Sequence, residues 1–220
     1  MIHATTPRMT LVGELLLSVI RRRLPMGLEE SGAGDYYAQR LARGETFPPY
    51  AQLIARAILD HKTDASAVIE IGAGLGELPF LLAAEGFETW AVERSEARFE
   101  ASRELHAKLA EVDDDFVDRA HILCGEFPCP ITGTSPATSI MISTGLVFDA
   151  TVEHETRLVD AMLGYRHVIV DVSRLVRYRS SPQAWAPVER RFLDAGFRVR
   201  RVLYEYVKPT DGGKVIWYEK

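Results

Sequence analysis

Residues 68–80, VIEIGAGLGELPF, run from an apolar strand through three alternating glycines into a helix. Glycines after a strand let the chain turn sharply and let a ligand approach the main chain, while the start of the helix offers unpaired N–H groups. Many nucleotides can use such a loop. The dinucleotide fingerprint G-x-G-x-x-G begins at Gly72 and Gly74, but its third glycine position is Glu77, and a carboxylate there repels a pyrophosphate. What stands instead is Glu70-x-Gly72-x-Gly74-x-Gly76, an acid ahead of the glycines, suited to a ligand that is cationic and carries no phosphate.

Working outward, 220 residues of which 47% are hydrophobic make one globular domain with a sizeable core, and two domains would be cramped. The formal charge of −5 gives no general attraction to phosphate backbones, so nucleic acid is disfavoured as a partner. Cys124 and Cys129 have no His/Cys array at zinc spacing around them, which points to neither a disulfide scaffold nor a structural metal, and to a reducing cytoplasm. The apolar run in LVGELLLSVIRRR, 11–23, is too short to span a bilayer, contains Glu14 and lacks a following cleavage site, so no stable membrane insertion is expected. Leu11, Val12, Leu15, Leu16, Val19 and Ile20 recur at helical spacing, with Arg21 to Arg23 at the C-terminal end. This stripe is expected to dock on the domain's own surface or on a second copy of the chain, giving a homo-oligomer through the N-terminal helix.

DYYAQRLAR, 35–43, reads as a helix, and FPPYAQLIARAILDHK, 47–62, starts another with prolines in its first turn. Strand-like runs follow at 67–72, 88–93, 121–125, 138–144 and 167–173, separated mostly by helical periodicity, the mark of a parallel α/β sheet. FRVRRVLYEYVK and KVIWYEK, joined by a turn at Asp211 to Gly213, predict an antiparallel last pair.

On these residues the chain, from roughly its DYY segment to Lys220, resembles the class I S-adenosylmethionine-dependent methyltransferases. The resemblance implies a Rossmann-like three-layer α/β sandwich whose seven-stranded sheet is mostly parallel with an antiparallel last strand. It further implies an N-terminal helical cap over residues 1–62 and one globular methyltransferase domain over 63–220. Glu70, Gly72, Ala73, Gly74 and Gly76 would cradle the methionine part of the cofactor. Glu93 would accept both ribose hydroxyls beside Arg94, a role chemically sound for a carboxylate but equally suited to the ribose of NAD. Glu126 would meet the adenine amino group or be a solvated loop acid, and Phe127 would stack on the ring. Tyr36 and Tyr37 resemble lid aromatics, with Tyr37 the cofactor contact, against the plainer reading of core aromatics.

The fourth strand ends in Ser143, Thr144 and Gly145, without the Asn/Asp-Pro-Pro-aromatic turn of enzymes that methylate bases. The FPPY at 47–50 is read as a helix start. Thr144 is assigned to the cofactor. A catechol-type metal site would need ligands from both the fourth and fifth strand ends, where only Asp171 and Thr144 stand, so no metal is expected. Asp149 and His154 follow the fourth strand, His154 as candidate base, with a helix-surface histidine as the alternative. His121 and His167 are weaker candidates, each opening a strand. The expected function is methyl transfer to a small-molecule hydroxyl, on a sugar or secondary-metabolite alcohol. The rivals are a non-catalytic cofactor-binding subunit and an NAD-dependent oxidoreductase, against which Glu77 counts.

Overall fold

The computed structural model describes residues 6–28, 36–61, 64–144, 152–171, 182–207 and 212–220. Helix α1 (Pro7–Arg23) is capped by Thr6, whose hydroxyl accepts the Met9 N–H at 3.1 Å, and it ends in a 3-10 turn at Leu24–Met26 that contains Pro25. Proline suits the first turn of a helix, where its missing N–H is no loss. The same logic starts α3 (Pro49–Asp60) behind α2 (Tyr36–Arg43).

The sheet comprises β1 (Ala67–Ile71), β2 (Glu88–Glu93), β3 (Ala120–Cys124), β4 (Ser139–Ser143), β5 (His167–Asp171), β6 (Arg198–Val207) and β7 (Gly212–Glu219), in the order β3-β2-β1-β4-β5-β7-β6. β1 to β5 pair in parallel, and β7 runs antiparallel to both β5 and β6. The helices between are α4 (Glu77–Ala84), α5 (Glu96–Ala110), α6 (Asp114–Arg119), α7 (Val152–Leu163) and α8 (Pro182–Asp194).

Alternate residues of each strand feed opposite faces of the sheet. Val68, Ile140, Ile142 and Ile169 join one core with α1, α3, α4 and α5, while Ile69, Met141, Val168 and Val170 join a second core with α7 and α8. Three layers result, the Rossmann-like sandwich expected. β1, β4 and β5 are buried along their whole length, which explains why they are mostly apolar, with Glu70 the one charged residue inside a strand and the other polar groups at strand ends. α4 is buried at all eight positions, consistent with a helix that is apolar on every side after its first residue, Glu77.

The stripe on α1 is used within the domain. Val12, Leu16, Val19 and Ile20 are buried in the first core, Leu11 and Leu15 are half-buried, and the helix packs on α4 and α5. Arg22 and Arg23 both pair with Glu104 on α5, the latter at 2.7 Å. The chain's own surface is one of the two docking places expected, and the stripe is docked there.

Candidate functional site

Strand order reverses between β1 and β4, and in open α/β sheets ligands bind outside the C-terminal ends of the strands at such a point. The glycine loop lies there. Gly74 has φ +60° and Gly76, which caps α4, has φ +77°, a left-handed conformation that other residues rarely adopt.

Every backbone N–H of this loop has a protein acceptor. Gly72 and Ala73 donate to the Val92 carbonyl at 2.9 and 3.1 Å, and Gly76 donates to the Ala73 carbonyl at 2.8 Å. Gly74 donates to Glu93 Oε2 at 2.8 Å and Leu75 to Glu77 Oε2 at 3.1 Å. A phosphate cradle turns such groups toward its ligand. Here five N–H groups are already bonded, two of them to carboxylates.

Three buried carboxyl groups surround the loop: Glu70, Glu77 and Glu93. The second oxygen of Glu93 accepts the Ser95 N–H at 2.8 Å, so one side chain ties the glycine loop to the start of α5. An ionised carboxylate offers about four acceptor sites, so these two bonds leave room for ribose hydroxyls. Glu77 pairs with Arg40 at 2.6 Å. Glu70 lies deepest, and burial, together with the Glu77 carboxylate, raises its pKa well above the usual range. The Thr144 hydroxyl opposes that rise and Glu93 adds to it, each a smaller influence. The Ser143 hydroxyl, at the end of β4, is buried with no hydrogen-bond partner among the described residues.

Tyr37 and Arg40 sit three residues apart on one face of α2, and both are buried. The Tyr37 hydroxyl lies 2.9 Å from where a Cβ on Gly74 would stand. It is therefore core and loop contact at once. Its neighbour Tyr36 remains 38% exposed, with its ring edge-on to that of Tyr37.

Arg94 and Glu126 face each other at 3.6 Å on the surface, and Phe127 is buried in the core patch that includes Ile71, Trp90 and Val92. Asp171 is buried at the end of β5. Asp149 and Gly145 lie outside the described residues. His154 falls on α7, but its side chain is not among those described. His167 opens β5 with Nε2 at 3.3 Å from Asp64, and His121 lies early in β3 against Trp90, both away from the strand C-termini. Among the described residues no three His, Cys, Asp or Glu side chains converge as a metal site.

Sequence reading used Glu77 only as an argument against phosphate and missed Arg40 altogether. The signal was the Tyr37/Arg40 spacing, which puts a cation on the helix face already assigned to the loop.

No family model and no curated protein sequence matches this chain. Solved structures do. The magnesium protoporphyrin IX methyltransferase of Synechocystis PCC 6803 with bound S-adenosylhomocysteine is similar over 97% of this chain and 99% of its own, with TM-score 0.60 at 13% identity. The glycopeptide N-methyltransferase MtfA complexed with S-adenosylmethionine matches over 76% of this chain and 92% of its own, with TM-score 0.52 at 16% identity. Streptococcus pneumoniae Sp1610, a candidate tRNA (m1A22) methyltransferase, covers 79% of this chain and 70% of its own, with TM-score 0.52 at 11% identity. No helix among the described residues is long and apolar enough to cross a membrane. The chain has the Rossmann-like fold of the class I S-adenosylmethionine-dependent methyltransferases.

Proposed function

We propose that the chain is an S-adenosylmethionine-dependent methyltransferase that acts on a hydroxyl of a small molecule such as a sugar or secondary-metabolite alcohol. The observation that carries the cofactor reading is the glycine loop, whose N–H groups from Gly72 to Gly76 are all bonded within the protein and whose surroundings hold three buried carboxyls. Such a site disfavours pyrophosphate, and with it the NAD-dependent oxidoreductase, and favours a cation. Bound there, S-adenosylmethionine supplies a methyl group already activated on a sulfonium. The protein's part is orientation and removal of the acceptor proton.

On this reading Glu70 and the loop residues Gly72, Ala73, Gly74 and Gly76 hold the methionine part, Glu93 and Arg94 the ribose, Glu126 and Phe127 the adenine, with Thr144 and Tyr37 closing the pocket. Residues 1–62 form the cap and 63–220 the catalytic domain. For the acceptor, proteins of this fold are named for a porphyrin, a glycopeptide and a tRNA, so the choice rests on this chain's own residues. The formal charge of −5 and the Ser143-Thr144 strand end, which lacks an amine-binding turn, favour a small hydroxyl acceptor over nucleic acid. His154, with Asp149 upstream, is the proposed base, because transfer to an alcohol needs a proton acceptor near pH 7. The rival of a cofactor-binding subunit loses one support, since the apolar stripe of α1 is buried in its own domain.

Calorimetric titration with S-adenosylhomocysteine and with NADH tests the cofactor. Binding of the first and not the second is expected, and the reverse overturns the reading. With an acceptor in hand, His154→Ala should lower the single-turnover rate by about 100-fold while leaving cofactor affinity near wild type. An undiminished rate would eliminate this base.

A further inference from the structure

We propose that Arg40 is a positioning residue for the cofactor loop: acting through Glu77, it locks the N-terminal helix α2 to the glycine loop so that helix and loop bind the cofactor as one unit. The inference rests on the cofactor reading above. Arg40 is 1% exposed, an extreme rarely met by an arginine unless it is paired. Its guanidinium donates to Glu77 Oε1 at 2.6 Å and to the Thr46 carbonyl at 2.6 Å, and it lies 5.4 and 5.8 Å from the ring centres of Tyr36 and Tyr37. The other oxygen of Glu77 accepts the Leu75 N–H inside the loop at 3.1 Å. One carboxylate thus joins a cation on α2 to an amide between two left-handed glycines.

Tyr37 gives the contact its direction. Its hydroxyl reaches the space a side chain on Gly74 would need, and the Glu77 carboxylate lies 3.3 Å from the same point. Arg40, Glu77, Gly74 and Tyr37 form a closed circuit, in which moving α2 requires Glu77 to release either its cation or its amide. A buried ion pair contributes little net stability compared with an apolar pair, and its best-attested use is to fix register. That property suits a contact that sets register between a cap and a binding loop.

The test is calorimetric titration of S-adenosylhomocysteine into wild type, Arg40→Lys, Arg40→Met, Glu77→Gln and the Arg40→Met/Glu77→Gln double variant, each with and without Tyr37→Phe. Arg40→Met should weaken binding about tenfold or more and Arg40→Lys should recover most of it. Tyr37→Phe should cost affinity in wild type and almost nothing once Arg40 is gone, the non-additivity expected of residues acting as one unit. Additive losses, or wild-type affinity in Arg40→Met, overturn the proposal. If the single variant does not fold, the double variant, which removes both charges, reads the same outcome. In the wild-type chain, hydrogen exchange on adding S-adenosylhomocysteine should show residues 36–43 and 72–77 gaining protection together; a protected loop beside an unchanged α2 would also overturn it. A wild-type chain that does not bind S-adenosylhomocysteine sinks the cofactor reading itself, a distinguishable failure.

Discussion

Two glutamates stand at or just past the C-terminal ends of the neighbouring strands β2 and β3, and they are held in opposite ways. Glu93 closes β2, is 5% exposed, and spends each oxygen on a backbone N–H. Glu126 stands two residues beyond β3 with its side chain 57% exposed, facing Arg94 at 3.6 Å. An acid at a strand end becomes part of the architecture when backbone donors replace the water it gives up, and otherwise remains solvated. The first kind resists change because buried donors depend on it. The second is free to change unless a ligand needs it.

The sharpest way to break this contrast is Glu93→Ala. It strands the Gly74 and Ser95 amides, and a hydrogen bond to a charged group contributes about 1.5–3 kcal/mol. Urea unfolding should therefore show a loss of about 3 kcal/mol or more, with cofactor binding lost as well. A loss under about 1 kcal/mol would put Glu93 with the solvated acids. Gly74→Ala should come next, because a side chain at φ +60° costs about 1–2 kcal/mol. The added methyl also meets the Tyr37 hydroxyl at 2.9 Å. Adding Tyr37→Phe should recover part of that loss by removing the oxygen, and no recovery would mean that the hydroxyl does not crowd the loop.

Glu70 extends the contrast to pH. Burial and the nearby Glu77 carboxylate raise its pKa in the folded chain well above that of the unfolded chain. The folded state thus holds its proton more tightly, and stability falls as pH rises from the ordinary carboxylate range toward the raised value. Glu77 on α4, Glu93 on β2, Thr144 after β4 and Tyr50 on α3 are the groups that face it. Glu70→Gln should flatten the pH dependence of the thermal midpoint in that window. A dependence identical to wild type would mean that Glu70 does not titrate there.

How much of this was legible depends on how local the signal is. The ETWAVE run marks β2 to the residue, and AVIEIG overshoots β1 by one, because contact with helical layers on both faces demands a short, mostly apolar run that ends where the chain turns. The glycine loop was legible for the same reason, since backbone geometry is written into consecutive residues. The partners of charged side chains were not. Arg40 meets Glu77 across 37 residues, and Glu93 was assigned to ribose with no means of seeing that two amides already hold it. Phe127 follows an exposed glutamate and yet is buried, a reversal that no periodicity carries across an irregular loop.

The smallest effect belongs to Glu126→Ala, and it separates two readings of one residue. An exposed ion pair at 3.6 Å contributes between about 0 and 1 kcal/mol, screened further by salt, so stability should stay within that range. Affinity carries the information. If Glu126 accepts from the adenine amino group, its loss should weaken S-adenosylhomocysteine by roughly tenfold, the worth of one hydrogen bond to a charged acceptor. A ligand with the amino group replaced by oxygen should then bind wild type poorly and lose nothing further on Glu126→Ala. If Glu126 is only a solvated loop acid, both ligands should bind the variant as they bind wild type. Calorimetry with the two nucleosides against the two proteins decides between a contact that forms when the cofactor arrives and a charge that water keeps.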